Sequence, residues 1–374
     1  MLTPQATVEE TRAKFRWDIP ERYNIGVDIC DKWADHEPER IALIDVGANG
    51  VGTEVTFGAL QGCSNQLANL LSKTCQQGDR IAVHLPQGVE TALAHIAALK
   101  IGCISLPLFT LFGPDALLHR LRDSGAKVVI TNAKGAAKVS ALRDQLPALE
   151  RVLCIEASQG AEDFHAALAG ESTDFRPVDT AAEDPAILIY TSGTTGASKG
   201  AVLTHGNFAA NAKALLEAWA ITSDDRYLAT LPLFHVHGLA NGIQCWLASG
   251  CHMRLVERFE REHVAEWFET YRPTLFFGVP TMYHRLLELP ETQARRIGAS
   301  MRLFVSGSSP LPAQTLEDFA ARFGHRILER YGMTETLMNV SNPLHGERRA
   351  GTVGFPLPNV EVEIRHEDGG LVHD

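Results

Sequence analysis

The sequence predicts an α/β protein built from two doubly wound parallel-sheet subdomains and a small β element. Two observations predict it. From residue 41 onward, short β-rich runs alternate with helical patterns, which calls for parallel strands covered by helices on both faces. A polar, weakly patterned stretch from Ala157 to Asp184, with Gly160, Gly170 and Pro177, interrupts that alternation and reads as a connection between two halves. The expected organisation is therefore 1–184 for the first subdomain, 185–335 for the second, and 336–374 for the start of a β-rich element.

In the first half the expected strands are Ile41–Val46, Arg80–Leu85, Cys103–Leu108, Lys127–Thr131 and Arg151–Ile155. Helices fill the gaps at Phe57–Ser72, Val89–Lys100 and Asp115–Asp123. Leu60, Leu67, Leu70 and Leu71 fall on one face of the first helix. Pro114 stands where a helix begins. In the second half the expected strands are Ala186–Tyr190, Tyr227–Leu231, Met253–Val256, Thr274–Gly278 and Leu303–Ser306. The expected helices are Asn207–Ala218, Glu262–Tyr271, Thr281–Leu289 and Ala313–Arg322. Beyond Tyr331 the text turns Gly/Pro-rich, with one further strand expected at Val360–Arg365.

Bulk properties narrow the function. A net charge of −11 argues against nucleic acid or an anionic membrane as partner. The seven cysteines are scattered and form no C-x-x-C pair, which fits reduced thiols in a cytoplasmic protein instead of a disulfide frame or a zinc site. The N-terminal residues have no apolar core of signal-peptide kind, and the most apolar stretch, residues 101–112, is too short to span a bilayer.

The densest chemistry lies from Tyr190 to Gly200, Y-T-S-G-T-T-G-A-S-K-G, directly after an apolar strand. Glycines let backbone N–H groups approach phosphate oxygens, hydroxyls donate to the same oxygens, and Lys199 adds a cation. This composition suits the polyphosphate of ATP. It is not a Walker loop, because two residues separate Gly196 from Lys199. Gly196–Gly200 does match G-x-S-x-G, but a nucleophile elbow needs a helix after the serine, and Ala201–Thr204 is strand-like. His235-Val236-His237 puts two imidazoles on one strand face, yet no Cys, Asp or Glu stands at ligand spacing to complete a metal site.

Further motifs follow strand ends, where open α/β sheets gather ligands. They are Pro232-Leu233-Phe234-His235-Val236-His237-Gly238, Gly278-Val279-Pro280-Thr281-Met282-Tyr283-His284-Arg285, Ser306-Gly307-Ser308-Ser309-Pro310-Leu311 and Tyr331-Gly332-Met333-Thr334-Glu335-Thr336. With the loop at 190–200 and in this order, they resemble the adenylate-forming superfamily: acyl-CoA synthetases, luciferases and peptide-synthetase adenylation domains. The second half looks closest to malonyl-CoA synthetases. Residues 111–117 look more like synthetases for short- and medium-chain monocarboxylic acids.

The resemblance implies roles for named residues. Thr191, Ser192, Gly193, Thr194, Thr195, Gly196 and Lys199 would cradle phosphates. Ser308, Ser309, Tyr331, Gly332 and Met333 would border the nucleotide, with Tyr331 beside adenine. Thr334 would reach the α-phosphate, and Thr194 and Glu335 would hold magnesium. His235, Ser308 and Met338 would bound the acyl pocket. Lys199, His235, Thr334 and Glu335 would form the catalytic set. The co-substrates would be ATP, coenzyme A and a small carboxylic acid.

Arg285 is the expected clue to the acid. An arginine in an alkyl pocket would be a buried charge without a partner, and a dicarboxylic acid would supply one. The competing reading points Arg285 to solvent or pairs it with Glu288. A medium-chain or aromatic acid:CoA ligase is the alternative enzyme, and a catalytically silent nucleotide-binding fragment the alternative of another class. The resemblance also implies that a smaller C-terminal domain, with a hinge and an adenylation lysine, is absent from this chain, and that the chain alone is poorly active.

Overall fold

The computed structural model describes residues 10, 15–47, 52–191 and 197–372. Among them, two parallel-dominated sheets carry the chain. The seven-stranded sheet runs, edge to edge, Glu162–Asp163, Arg151–Cys154, Val128–Thr131, Arg80–His84, Ile104–Pro107, Pro185–Thr191 and Lys199–Thr204. The nine-stranded sheet runs Phe355–Pro356, Leu337–Ser341, Leu328–Met333, Leu303–Ser306, Leu275–Gly278, Arg226–Ala229, His252–Val256, Ile41–Val46 and Gly52–Thr56. Antiparallel pairing is confined to outer strands, at Pro185–Thr191 with Lys199–Thr204, Ile41–Val46 with Gly52–Thr56, and Leu328–Met333 with Leu337–Ser341 and on to Phe355–Pro356.

Local chemistry explains the elements that match expectation. The helix Phe57–Ser72 starts where Thr56 Oγ1 accepts from Ala59 N at 3.2 Å, and it buries Leu60, Leu67, Leu70 and Leu71 on one face. The helix His205–Ala218 opens on a reciprocal cap: Asn207 N donates to Thr204 Oγ1 at 3.1 Å, and Thr204 N donates to Asn207 Oδ1 at 3.0 Å. Gly125, with φ of 59°, closes the helix Pro114–Ser124 in the left-handed conformation that favours glycine.

Sheet membership crosses the boundary drawn at 184/185. Ile41–Val46 pairs with His252–Val256, far along the chain, while Pro185–Thr191 joins Ile104–Pro107 in the other sheet. Long-range register decides this, and local pattern carries no record of it. The connecting stretch 157–184 is also more structured than expected. It contains a short strand and the helix Phe164–Ala169, which buries Phe164 and Leu168. The strand expected at Val360–Arg365 does not form: Arg365 makes an isolated bridge to Leu371, and Val362 and Ile364 are exposed. Alternation alone is not enough where no neighbouring strand supplies a ladder. No helix among the described residues is long and apolar enough to cross a membrane.

Candidate active site

Strand ends from both sheets converge on one cavity of about 830 Å³. The seven-stranded sheet contributes Pro107, Phe109 and Phe112 after one strand, Ile189, Tyr190 and Thr191 at the end of another, and Lys199 at the start of its edge strand. The nine-stranded sheet contributes Phe234, His235, Val236 and His237 after Arg226–Ala229, Ser308 after Leu303–Ser306, and Arg330, Gly332, Met333, Thr334, Glu335 and Met338 around its outer turn. Phe109 stacks on Phe234 with ring centroids 4.2 Å apart, joining loops from the two sheets.

Many of the residues expected from the sequence are therefore neighbours. Thr191, Lys199, His235, Ser308, Gly332, Met333, Thr334, Glu335 and Met338 all line the cavity. Thr191 Oγ1 donates to Glu335 Oε1 at 3.2 Å, tying the start of the Gly-rich loop to the expected magnesium ligand. The Cα of Thr191 pairs in register with that of Lys199. Ser192, Gly193, Thr194, Thr195 and Gly196 lie outside the described residues. Ser309 and Tyr331 are exposed and do not line the cavity.

Arg285 departs from expectation. It is exposed on the helix Pro280–Leu286 and stands outside the cavity wall. Tyr283 and Leu286, three positions apart, take the buried face of that helix, and this turns Arg285 away. Nor does Arg285 pair with Glu288, which binds Arg261 at 2.6 Å.

A different arginine occupies the cavity. Arg330 lies in the strand Leu328–Met333, is 3% exposed, and lines the wall with His235, His237, Ser308 and Met338. Its Nε and Nη2 have no hydrogen-bond partner, and no carboxylate faces it among the described residues. Burial pushes its pKa down to about 9, so it remains a cation at neutral pH. Gly307 makes room for it, since a Cβ there would lie 2.4 Å from the guanidinium carbon. Ser308 adopts φ of 69°, an uncommon value for a non-glycine residue and one that recurs at ligand sites. Its Oγ lies 2.8 Å from His237 Nδ1. Burial first, and Arg330 second, hold the pKa of His237 well below the usual histidine range, so its imidazole is neutral beside the guanidinium. Arg330 and His237 were missed as acid-binding candidates. The available signal was an arginine inside a predominantly buried strand start, Leu328-Glu329-Arg330, just before the motif at Tyr331.

The donor chemistry fits a magnesium nucleotide. Glu335 and Thr191 present hard oxygens on one wall, and magnesium is commonly held by one or two carboxylates together with phosphates and waters.

Residues 30–374 match the model of a family described as AMP-binding enzyme. A probable CoA ligase of Humulus lupulus is 35% identical across 78% of this chain and 52% of its own length. A mitochondrial malonate–CoA ligase of Mus musculus is 34% identical across 88% of this chain and 58% of its own. The chain thus spans about half the length of the curated relatives it matches. Apo MatB from Rhodopseudomonas palustris superposes with a TM-score of 0.85 at 34% identity, covering 94% of this chain and 68% of that one. Shared motif order, shared fold and a match over nearly the whole sequence place this chain in the AMP-binding enzyme family, the adenylate-forming enzymes that include the CoA ligases.

Proposed function

We propose that the whole protein is an acid:CoA ligase that activates a small dicarboxylic acid, malonate or a close relative, through an acyl-AMP intermediate. The observation that carries the choice of acid is Arg330. A guanidinium buried on a ligand cavity without a counter-charge is costly, and a second carboxylate on the substrate would supply the missing partner in bidentate geometry. This reading moves the clamp from Arg285 to Arg330. Neutral His237 and the hydroxyl of Ser308 would border the same group without adding charge.

The other carboxylate of the acid would then face the nucleotide. One of its oxygens forms a bond to the α-phosphorus, the bridging P–O bond breaks, and pyrophosphate leaves. The coenzyme A thiolate next attacks the acyl carbon and releases AMP. Lys199 and the loop that starts at Thr191 would grip the phosphates, and Thr334 would lie beside the α-phosphate. A magnesium ion bound through Glu335, with Thr194 as the second expected ligand, would neutralise charge between the two anions. Ser309 and Tyr331 keep their proposed place beside adenine, on the exposed side of the strand-end motifs. Seven cysteines without disulfides fit a reducing compartment such as the cytoplasm or a mitochondrial matrix.

A second reading draws on the apolar part of the wall. Phe109, Phe112, Ile189, Phe234 and Val236 would suit a medium-chain or aromatic monocarboxylic acid. One assay separates the two. The protein is supplied with ATP, magnesium, coenzyme A and, in turn, malonate, methylmalonate, butyrate, octanoate and benzoate. Preference for the first two supports the dicarboxylate reading, and preference for octanoate or benzoate overturns it.

A further inference from the structure

The cavity holds a second arginine that these roles leave unused. Arg120 lies on the helix Pro114–Ser124 and lines the wall together with Tyr190, Thr191 and Lys199. Its guanidinium carbon sits 4.1 Å from the centroid of the Phe112 ring and 5.6 Å from that of Tyr190. The Tyr190 ring is fixed in turn, because its hydroxyl donates to Asp123 Oδ2 at 2.6 Å. Two aromatic rings thus hold the guanidinium in place before any ligand arrives.

Its hydrogen-bonding capacity is largely unspent. Nη1 donates to the Ala116 carbonyl at 2.8 Å, while Nε is buried without a partner. Among the described residues no carboxylate pairs with it, and desolvation pulls its pKa below the usual arginine range. Arg120 is half-buried, and ring faces and one backbone carbonyl offset only part of the cost of shielding its charge from water. An anion beside it would offset the rest. Tyr190 is the next-to-last residue of the strand that leads into the Gly-rich loop, and the Cα of its neighbour Thr191 pairs with that of Lys199. Arg120 therefore stands at the phosphate end of the cavity, on a helix that joins two strands of the seven-stranded sheet, whereas Arg330 belongs to the nine-stranded one.

We infer that Arg120 is a second phosphate-binding cation, acting beside Lys199 on the β- and γ-phosphates of ATP and on the pyrophosphate that leaves. The inference rests on the reading of residues 190–200 as the nucleotide's phosphate site. A planar guanidinium suits this work, because it can meet two phosphate oxygens at once. Coenzyme A also carries phosphates. The place of Arg120 beside the loop commits the assignment to ATP.

The test is calorimetric titration of the 374-residue chain with ATP, AMP, inorganic pyrophosphate and coenzyme A, each with magnesium. The parent is compared with Arg120→Gln and Arg120→Lys. Arg120→Gln is expected to weaken ATP and pyrophosphate about tenfold, the loss of one charge-assisted hydrogen bond. AMP and coenzyme A should stay within about twofold, which also shows that the variant is folded. Arg120→Lys should recover part of the loss. Equal weakening of ATP and AMP, or none, would make Arg120 a packing residue and overturn the inference. Weakening of coenzyme A alone would overturn it in favour of the other phosphate source. A parent that binds AMP but neither ATP nor pyrophosphate would remove the phosphate-site reading itself, and this inference with it.

Discussion

Among the described residues, Lys100 and Arg330 are two buried cations, and the fold treats them differently. Lys100 ends the helix Val89–Lys100 and is wholly inaccessible, yet its Nζ is surrounded. It lies 2.5 Å from Asp31 Oδ1 and donates to Asn65 Oδ1 at 2.7 Å and Ser64 Oγ at 2.9 Å. Arg330 is nearly as inaccessible, but two of its nitrogens bond to nothing. Lys100 sits where helices pack on one another, and Arg330 sits on the wall of a cavity. A buried charge that the chain itself neutralises serves the fold. One left open beside a cavity points to a partner that is not part of the chain.

The largest expected effect tests the first half of that contrast. Lys100→Met keeps the length of the side chain and removes its charge, stranding Asp31 in a buried site. We expect a stability loss of about 3–5 kcal/mol in urea denaturation, the range for breaking one partner of a buried pair. Burial already pushes the pKa of Asp31 up against the pull of Lys100. A loss below about 1 kcal/mol would therefore mean that Asp31 takes up a proton and that the pair contributes little.

Arg330→Met tests the other half. With no internal counter-ion to strand, its ligand-free stability should hold or rise. Its effect should appear in catalysis by the whole protein. For malonate, kcat/KM should fall by about 2–5 kcal/mol in activation free energy, while butyrate is spared or improved. Equal losses for both acids, or a stability loss like that of Lys100→Met, would erase the distinction between the two cations. Arg285→Met serves as the control, and its exposed position predicts little change in either measurement.

The contrast also marks how far the sequence can be read. Phe57–Ser72 was legible to the residue, because its Thr56 cap and its apolar face are local signals, and Val89–Lys100 was legible from its apolar, Ala/Leu-rich run alone, with no side-chain cap. The cavity wall was legible at most motifs that follow strands, as at Thr191, His235, Ser308 and Glu335, but the motif Gly278–Arg285 stands outside it. Sheet membership was not legible, since the pairing of Leu43 with Met253 depends on contacts two hundred residues apart in sequence. Nor was the choice between Arg285 and Arg330. Helix rotation, set by Tyr283 and Leu286, turns one outward, and strand pairing buries the other. Both are single arginines near strand ends, and local pattern does not separate them.

The smallest effect isolates burial without any neighbouring charge. His95 is buried with its Nδ1 2.7 Å from Ser105 Oγ, and desolvation alone holds its pKa down to about 3. His237 differs in having Arg330 beside it. For His95 the unfolded chain, with a pKa near about 6.5, takes up a proton below that pH, and the folded protein refuses it. Its contribution to stability is thus fully present above about pH 6.5 and is lost on acidification towards pH 3, at about 1.4 kcal/mol per pH unit. His84 and His205, both held near pKa 4 mainly by burial, add to the same slope. Denaturation midpoints taken between pH 7 and pH 5 should fall steadily, and His95→Asn should flatten the slope by one proton's worth whatever it does to stability at pH 7. An unchanged slope would mean that His95 takes up its proton inside the fold. Burial among apolar side chains would then not be enough to keep a group neutral here, and the neutrality assigned to His237 would rest on the charge of Arg330 alone.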